Sequence, residues 1–281
     1  MKTIRFTKMH GAGNDYIYVD TTRESLPHPE QLAVCWSKSH TGIGSDGLIC
    51  IGKSDKADFF MHMYNSDGSE GRMCGNGIRC VGKYVYDHQM THQQDVSIET
   101  LSGVKTVHLH LSADGLVDSA TVDMGQPQLE MPAQCTKSTA EGAPISIDLN
   151  GHHYEGTFVS MGNPHFVIPV KDIQEVDLTQ EGSALERHPL FPEGCNIEFV
   201  QPLTPYQLRT RVWERGSGIT QACGTGACAT VVAATLRGIT DHQADIQMDG
   251  GTLHVEWSQA DHHIYLTGPA ETVFDGQISI P

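Results

Sequence analysis

No run in this sequence approaches the ~18 consecutive apolar residues of a membrane span. The opening segment, MKTIRFTKMHGAGNDYIYVD, lacks an apolar core followed by a cleavage site, so the cytoplasm is the expected compartment. Basic residues are scarce: 18 Lys and Arg stand against 34 Asp and Glu, a formal net charge of -16. That surface repels phosphate backbones and anionic lipid, which removes nucleic acid and membrane from the expected partners. Low-complexity segments are also missing.

The Cys-x-x-Cys zinc knuckle is absent as well, although there are 8 cysteines, at positions 35, 50, 74, 80, 135, 195, 223 and 228. Cys74 and Cys80 are six apart and Cys223 and Cys228 five apart, so no metal site is expected. A disulfide framework suits a short secreted chain, and a chain of this length without an export signal is expected to keep its thiols reduced. At 281 residues the chain has room for two domains, each with its own core.

What the sequence does have is an internal echo. Cys74-Gly75-Asn76-Gly77 and Cys223-Gly224-Thr225-Gly226 share the pattern Cys-Gly-polar-Gly and lie 149 residues apart. Gly13-Asn14 and Gly162-Asn163 have the same offset of 149, as do the apolar runs Leu48 to Ile51 and Ile197 to Val200. Two copies of one fold is the economical reading. Each copy reads as short alternating strands, then a Gly-rich turn, then a helix. The helices are expected from about Asn76 through Asp87 and from about Thr225 through Arg237. The second is apolar nearly all round, which places it at the centre of its domain. Strands are expected at Val96 to Thr100, Thr106 to Leu111 and Ile264 to Thr267. The domain crossing is expected between Asp114 and Pro144. Domains of 1-120 and 121-269 follow, with the last residues, about 270-281, packing on the first.

Each paired cysteine sits just before a helix, where unsatisfied N–H groups and the helix dipole favour negative charge. In such settings thiol pKa values fall from about 8.5 to ~3.5–7.5. The flanking glycines would let a carboxylate approach the first-turn amides. Two such turns gripping one carboxylate would put Cys74 and Cys223 on opposite faces of its α-carbon. One takes a proton as thiolate and the other gives one as thiol, which inverts configuration without a cofactor. Cys35, Cys50, Cys80, Cys135, Cys195 and Cys228 are expected to be inert core residues.

Two features suggest other chemistry and fail on context. Gly42-Ile43-Gly44-Ser45-Asp46-Gly47 matches a dinucleotide fingerprint, but a helix precedes it and a strand follows, the reverse of what that fingerprint needs. The pairs His152-His153 and His262-His263 would alternate across a strand and cannot share a ligand face.

The segments KMHGAGNDYIYVD, GIGSDGLI, YNSDGSEGRMCGNGIRC, SMGNPHFV and WERGSGITQACGTGACA resemble diaminopimelate epimerases, over nearly the whole chain from about residue 8 to LTGPAETVFDG. The resemblance implies an α/β (α+β) fold of two pseudo-symmetric domains, each a curled, mostly antiparallel sheet around a central helix, with the active site in the interdomain cleft. It implies conversion of LL-diaminopimelate to the meso form for lysine and peptidoglycan synthesis, with a small-molecule amino acid as partner and a homodimer as a candidate assembly. Carried over by motif, Cys74 and Cys223 are the acid/bases, and Gly75, Asn76, Gly224 and Thr225 offer backbone amides to the reacting carboxylate. Asn14, Asn65, Asn163, Asn196, Glu214 and Arg215 line the rest of the substrate, and His165 is a candidate for tuning a thiol. Ser39 and Gly47 depart from the family's pattern, at positions that hold no acid/base. A racemase of another amino acid such as histidine is the alternative on this scaffold; a thiol redox or zinc-binding protein is the rival from other classes.

Overall fold

The computed structural model describes residues 2–280. The chain divides into two compact units, one of residues 1–122 with 267–281 and one of residues 123–266.

The first unit carries β1 (Lys2–Gly11), β2 (Asn14–Asp20), α1 (Pro29–Trp36), β3 (Gly47–Gly52), β4 (Phe59–Asn65), the two-residue β5 (Glu70–Gly71), α2 (Gly75–Asp87), β6 (Asp95–Thr100) and β7 (Gly103–Leu111). Its last strands are shared with the crossings: β8 (Val117–Gly125) leads out, β17 (Ile264–Pro269) leads back and β18 (Glu271–Ile280) ends it. The second unit carries β9 (Ile145–Leu149), β10 (His152–Ser160), β11 (Pro164–Pro169), α3 (Ser183–Glu186), β12 (Asn196–Thr204), β13 (Gln207–Glu214), the two-residue β14 (Gly218–Ile219), α4 (Gly224–Leu236), β15 (Gln243–Met248) and β16 (Gly251–Trp257).

The two sheets have the same pairing scheme. In the first, β1–β2 is antiparallel, β2–β3 parallel, β3–β4 antiparallel, β4–β6 parallel and β6–β7 antiparallel. In the second, β10–β11, β11–β12, β12–β13, β13–β15 and β15–β16 repeat that series. The edge differs in origin. The second unit closes its edge with β9, which immediately precedes β10, whereas the first uses β18 from the end of the chain, antiparallel to β1 from Lys2↔Ile280 to His10↔Glu271.

Both long helices have 13 residues and start 149 apart, at Gly75 and Gly224, one residue ahead of the sequence expectation. Each is buried almost from its first residue: Gly75 to Val85 without interruption in α2, and in α4 Gly224 and Gly226 to Ala234. Strands from different parts of each sheet, β1, β2 and β7 in one and β10, β13 and β16 in the other, pack on the helix, so the sheet curls around it. Small side chains allow this closeness in α4, and each fully buried Val there contributes about 1.5–3 kcal/mol. α2 achieves it despite two basic residues. The wholly buried Arg79 donates to the carbonyls of Gly75 and Pro269 and to Asn76 Oδ1, and Lys83 Nζ donates to Asp87 Oδ2 at 2.7 Å.

The helices also end alike. The amides of Met90 and Ile239 reach back to Val85 O and Ala234 O, each at 2.8 Å, across a left-handed residue, Gln89 in one and Gly238 in the other. The opposite face of each sheet carries a second core: Trp36 and Ala33 of α1 in the first unit, and Leu185 of α3 with Ile173, Leu178, Leu190 and Phe191 in the second.

Three expectations need correction. Cys35 is exposed rather than core, because α1 covers the sheet with Ala33 and Trp36 and turns Cys35 outward. The helix expected over LAVCWSKSH stops at Trp36, and the segment up to Gly47 is a turn. His262 and His263 are not in a strand: they precede β17, His262 has φ +63°, and His263 Nδ1 meets Asp123 Oδ1 at 2.8 Å. The pair His152-His153 does lie on a strand, exposed at the start of β10.

Candidate active site

In each unit the Gly-rich turn enters its helix through a cysteine N-cap. Cys74 (φ -137°, ψ 119°) and Cys223 (φ -125°, ψ 112°) are extended, and their sulfurs accept hydrogen bonds from the amides of Gly77 and Gly226 at 3.3 and 3.4 Å. That arrangement satisfies one of the orphan donors at each helix start. It leaves the first amides of the turn, at Gly75 and Asn76 and at Gly224 and Thr225, without an intrahelical acceptor, which is what an anion site needs. A Cβ at Gly77 would lie 2.8 Å from Ile49 Cδ1, and one at Gly226 would lie 2.7 Å from Glu198 Oε1, so both positions exclude side chains.

Around Cys74, the Asn14 carboxamide is held by a 2.6 Å bond from Nδ2 to Asp46 Oδ2. Its Oδ1 accepts from Cys74 Sγ at 3.3 Å and from Asn76 Nδ2 at 3.4 Å. The buried Tyr16 hydroxyl also reaches Cys74 and Asn14; burial, with the charges of Cys74 and Asp46, pushes that phenol well above its usual range. Asn65 is spent differently, its amide bonding Ser69 Oγ at 3.0 Å across the β4–β5 hairpin.

Around Cys223, Thr225 Oγ1 lies 3.5 Å from the sulfur and accepts from Asn163 Nδ2 at 3.3 Å. His165 is wholly buried between Asn163 Oδ1 (3.2 Å from Nε2) and Glu198 Oε1 (2.6 Å from Nδ1). Glu214 accepts hydrogen bonds from Thr220 Oγ1 and from Cys223. Burial pushes the Glu214 carboxyl up, against the pull of those two bonds. Burial likewise pushes the Cys223 thiol well above its ordinary value, and the Glu214 and Glu198 carboxylates add to the rise. The lowered pKa expected from the helix N-terminus is thus reversed at Cys223. The bonds from Gly226 and Thr225 pull the right way, but burial and two acids outweigh them.

Asn196, also expected in the lining, is held by the backbone at each end of its carboxamide. It is buried, its Nδ2 donates to Pro164 O at 3.0 Å and its Oδ1 accepts from the Arg215 amide at 2.8 Å, so both ends are taken by backbone. It positions Arg215, whose guanidinium rests on Glu193 O at 3.2 Å.

Sequence reasoning missed Tyr16, Glu198, Asp46 and Arg79. The repeat held a signal for one of them: Tyr16 stands 149 residues before His165. Glu198 lay inside a run read as apolar. No group of three or more metal-ligating side chains occurs among the described residues.

The sequence model of the diaminopimelate epimerase family matches residues 6–130 and 157–273. Proteins named diaminopimelate epimerase from Phocaeicola vulgatus and Bacteroides thetaiotaomicron are each 54% identical to the chain, over 278 and 276 residues, covering 99% and 98% of both sequences in each comparison. One from Methanococcus maripaludis is 47% identical over 280 residues, 99% of this chain and all of that one. Two solved structures share the fold with little sequence in common. A phenazine biosynthesis protein of the PhzF family from Bacillus anthracis has a TM-score of 0.73 at 17% identity over the whole of both chains. A hydroxyproline epimerase from Agrobacterium vitis has a TM-score of 0.73 at 16% identity, over 99% of this chain and 93% of that one.

Proposed function

We propose, from the premise that this chain belongs to the diaminopimelate epimerase family, that Cys74 and Cys223 perform its reaction as a pair of opposed acid/bases. The protein is an isomerase of lysine biosynthesis that interconverts LL- and meso-diaminopimelate. In the proposed mechanism one cysteine, as thiolate, removes the α-proton while the other, as thiol, protonates the opposite face, and the roles exchange in the reverse direction. Negative charge developing on the α-carboxylate is met by the first-turn amides at Gly75, Asn76, Gly224 and Thr225, which are fixed before the reaction begins. The chain's own groups supply the acid, the base and the anion site, so the scheme uses no cofactor and no metal.

The observation that carries this reading is the duplicated cap: two cysteines at the same offset as their helices, each bound to the amide three residues on. For the rest of the substrate, Asn14, Asn65 and Asn163 offer amides, Glu214 can take an ammonium and Arg215 a second carboxylate. A second amino-acid head needs that acid and base together. A racemase of a simpler amino acid would leave Arg215 without a task. The compartment we read is the cytoplasm, where lysine biosynthesis runs and where thiols are kept reduced.

Incubating the reduced protein with LL-diaminopimelate in deuterated water tests this reading. Deuterium is expected at the inverted α-carbon of the product. Exchange on histidine but not on diaminopimelate would overturn the substrate, and exchange that persists in Cys74→Ala or Cys223→Ala would overturn the two-thiol scheme.

A further inference from the structure

Behind Cys223 runs an unbroken file of hydrogen bonds whose far end, His165 and Glu198, the reaction scheme does not use. Glu198 Oε1 lies 2.6 Å from His165 Nδ1, His165 Nε2 lies 3.2 Å from Asn163 Oδ1, Asn163 Nδ2 lies 3.3 Å from Thr225 Oγ1, and Thr225 Oγ1 lies 3.5 Å from Cys223 Sγ. His165 and Glu198 are completely buried. Among the described residues the second carboxylate oxygen of Glu198 has no hydrogen-bond partner, and the contact with His165 holds this acid in place.

Each link has a fixed polarity. A carboxamide oxygen can only accept, so the 3.2 Å contact places a hydrogen of His165 on Nε2, and the 2.6 Å contact between Nδ1 and Glu198 Oε1 holds a further hydrogen of its own, because a carboxylate oxygen cannot donate. A carboxamide nitrogen can only donate, so Asn163 gives its hydrogen to Thr225 Oγ1. The Thr225 hydroxyl hydrogen is then left to point at the sulfur. We propose that Glu198 and His165 are positioning residues which, through Asn163 and Thr225, aim a hydroxyl hydrogen at Cys223 Sγ and so stabilise its thiolate.

The other copy shows the opposite polarity at equivalent positions. Asn14 spends its Nδ2 on Asp46 Oδ2 and turns its oxygen to Cys74 Sγ, with Asn76, the counterpart of Thr225, donating to that same oxygen. Tyr16 and Ile49 stand where His165 and Glu198 stand in the second copy, 149 residues earlier, and the acid that holds Asn14, Asp46, takes the donor end of the carboxamide and leaves its oxygen to the sulfur. The counterweight belongs to Cys223 because the groups that face it need one. Glu214 on β13 and Glu198 on β12 both oppose its negative charge, and burial does so too. The Gly226 amide and the Thr225 hydroxyl favour it.

This inference rests on the two-thiol reading only in taking Cys223 as a reacting group, and its test needs no turnover. In the Cys74→Ala protein, the rate of Cys223 alkylation by iodoacetamide is followed against pH by peptide mass spectrometry. Thr225→Val is expected to slow alkylation near pH 8 about tenfold, the worth of one hydrogen bond to a charged group, while Thr225→Ser keeps the parent rate. Glu198→Leu and Glu198→Gln remove the same charge, but only glutamine can still bond His165 Nδ1. The file predicts slower alkylation in the leucine variant than in the glutamine one. Equal rates in Thr225→Val and the parent overturn the proposal, as does equal acceleration by both Glu198 changes, which is the signature of charge alone. Thermal unfolding checks each variant, and if Glu198→Leu does not fold the Thr225 pair decides. Should epimerisation survive Cys223→Ala while the alkylation pattern holds, the function reading falls and the hydrogen-bond file stands.

Discussion

Cys74 and Cys223 cap helices of 13 residues in the same way, their sulfurs accepting from Gly77 N and Gly226 N at 3.3 and 3.4 Å. The cap is one geometry used twice, but the side chains around it differ. Asn14 and Tyr16 meet Cys74, whereas Glu214 and Thr225 meet Cys223.

Loss of either sulfur removes one acid/base and leaves its partner. Cys74→Ala and Cys223→Ala are each expected to lower kcat by about 10²–10⁴-fold, the usual worth of general acid–base catalysis. Folding should be retained, since Gly77 and Gly226 lose only a weak cap. Optical rotation during turnover and thermal unfolding measure the two effects separately.

Gly226→Ala places a methyl 2.7 Å from Glu198 Oε1 and 3.3 Å from Cys223 Sγ. Neither the helix backbone nor the buried acid can yield without disturbing His165. A destabilisation of about 1–3 kcal/mol is expected from overpacking, and urea unfolding of the variant reads it. Unchanged stability would mean that Glu198 is free to move.

Arg79→Met leaves the carbonyls of Gly75 and Pro269 and Asn76 Oδ1 without their buried donor. Each orphaned acceptor costs about 1–3 kcal/mol, so a large fall in Tm is expected. Arg79→Lys should recover little, because one ammonium cannot reach three acceptors in the plane that the guanidinium spans. Differential scanning calorimetry separates the two variants.

Alkali should unfold the protein through its buried thiols. Burial raises Cys50 to about 12 and Cys80 to about 11, and pushes Cys195 and Cys223 well above their ordinary value. In the unfolded chain thiols ionise near ~8.5, so above that pH the unfolded state has lost protons that the native state keeps. The sign follows: this stability is complete below pH ~8.5 and is lost as the pH rises towards the folded values, by about 1.4 kcal/mol per pH unit for each such thiol. Urea midpoints at pH 8, 9 and 10 should therefore fall. In Cys50→Ala the slope should be shallower, even if stability at pH 7 is lower.

Local signals made much of this protein legible. The offset of 149 showed in the glycine and cysteine spacing before any fold was known, and it matches the start of both long helices. Those helices follow from i to i+4 bonding, extended cysteine caps and apolar surroundings, all of which are written within a dozen neighbouring residues. Strand alternation was equally local, and β6, β7 and β12 fall where the sequence put them, extended by one to four residues at their ends. Tertiary structure decided what depends on partners distant in the chain. The edge of the first sheet is β18, paired to β1 across almost the whole sequence. Glu198 is wholly buried because His165, on the adjoining strand, meets its charge, and a run such as Ile197 to Val200 cannot announce such a partner. The polarity of each thiol's surroundings was hidden for the same reason. The helix N-terminus is visible in sequence, but the burial and carboxylates that outweigh it at Cys223 exist only once the strands have closed around the helix.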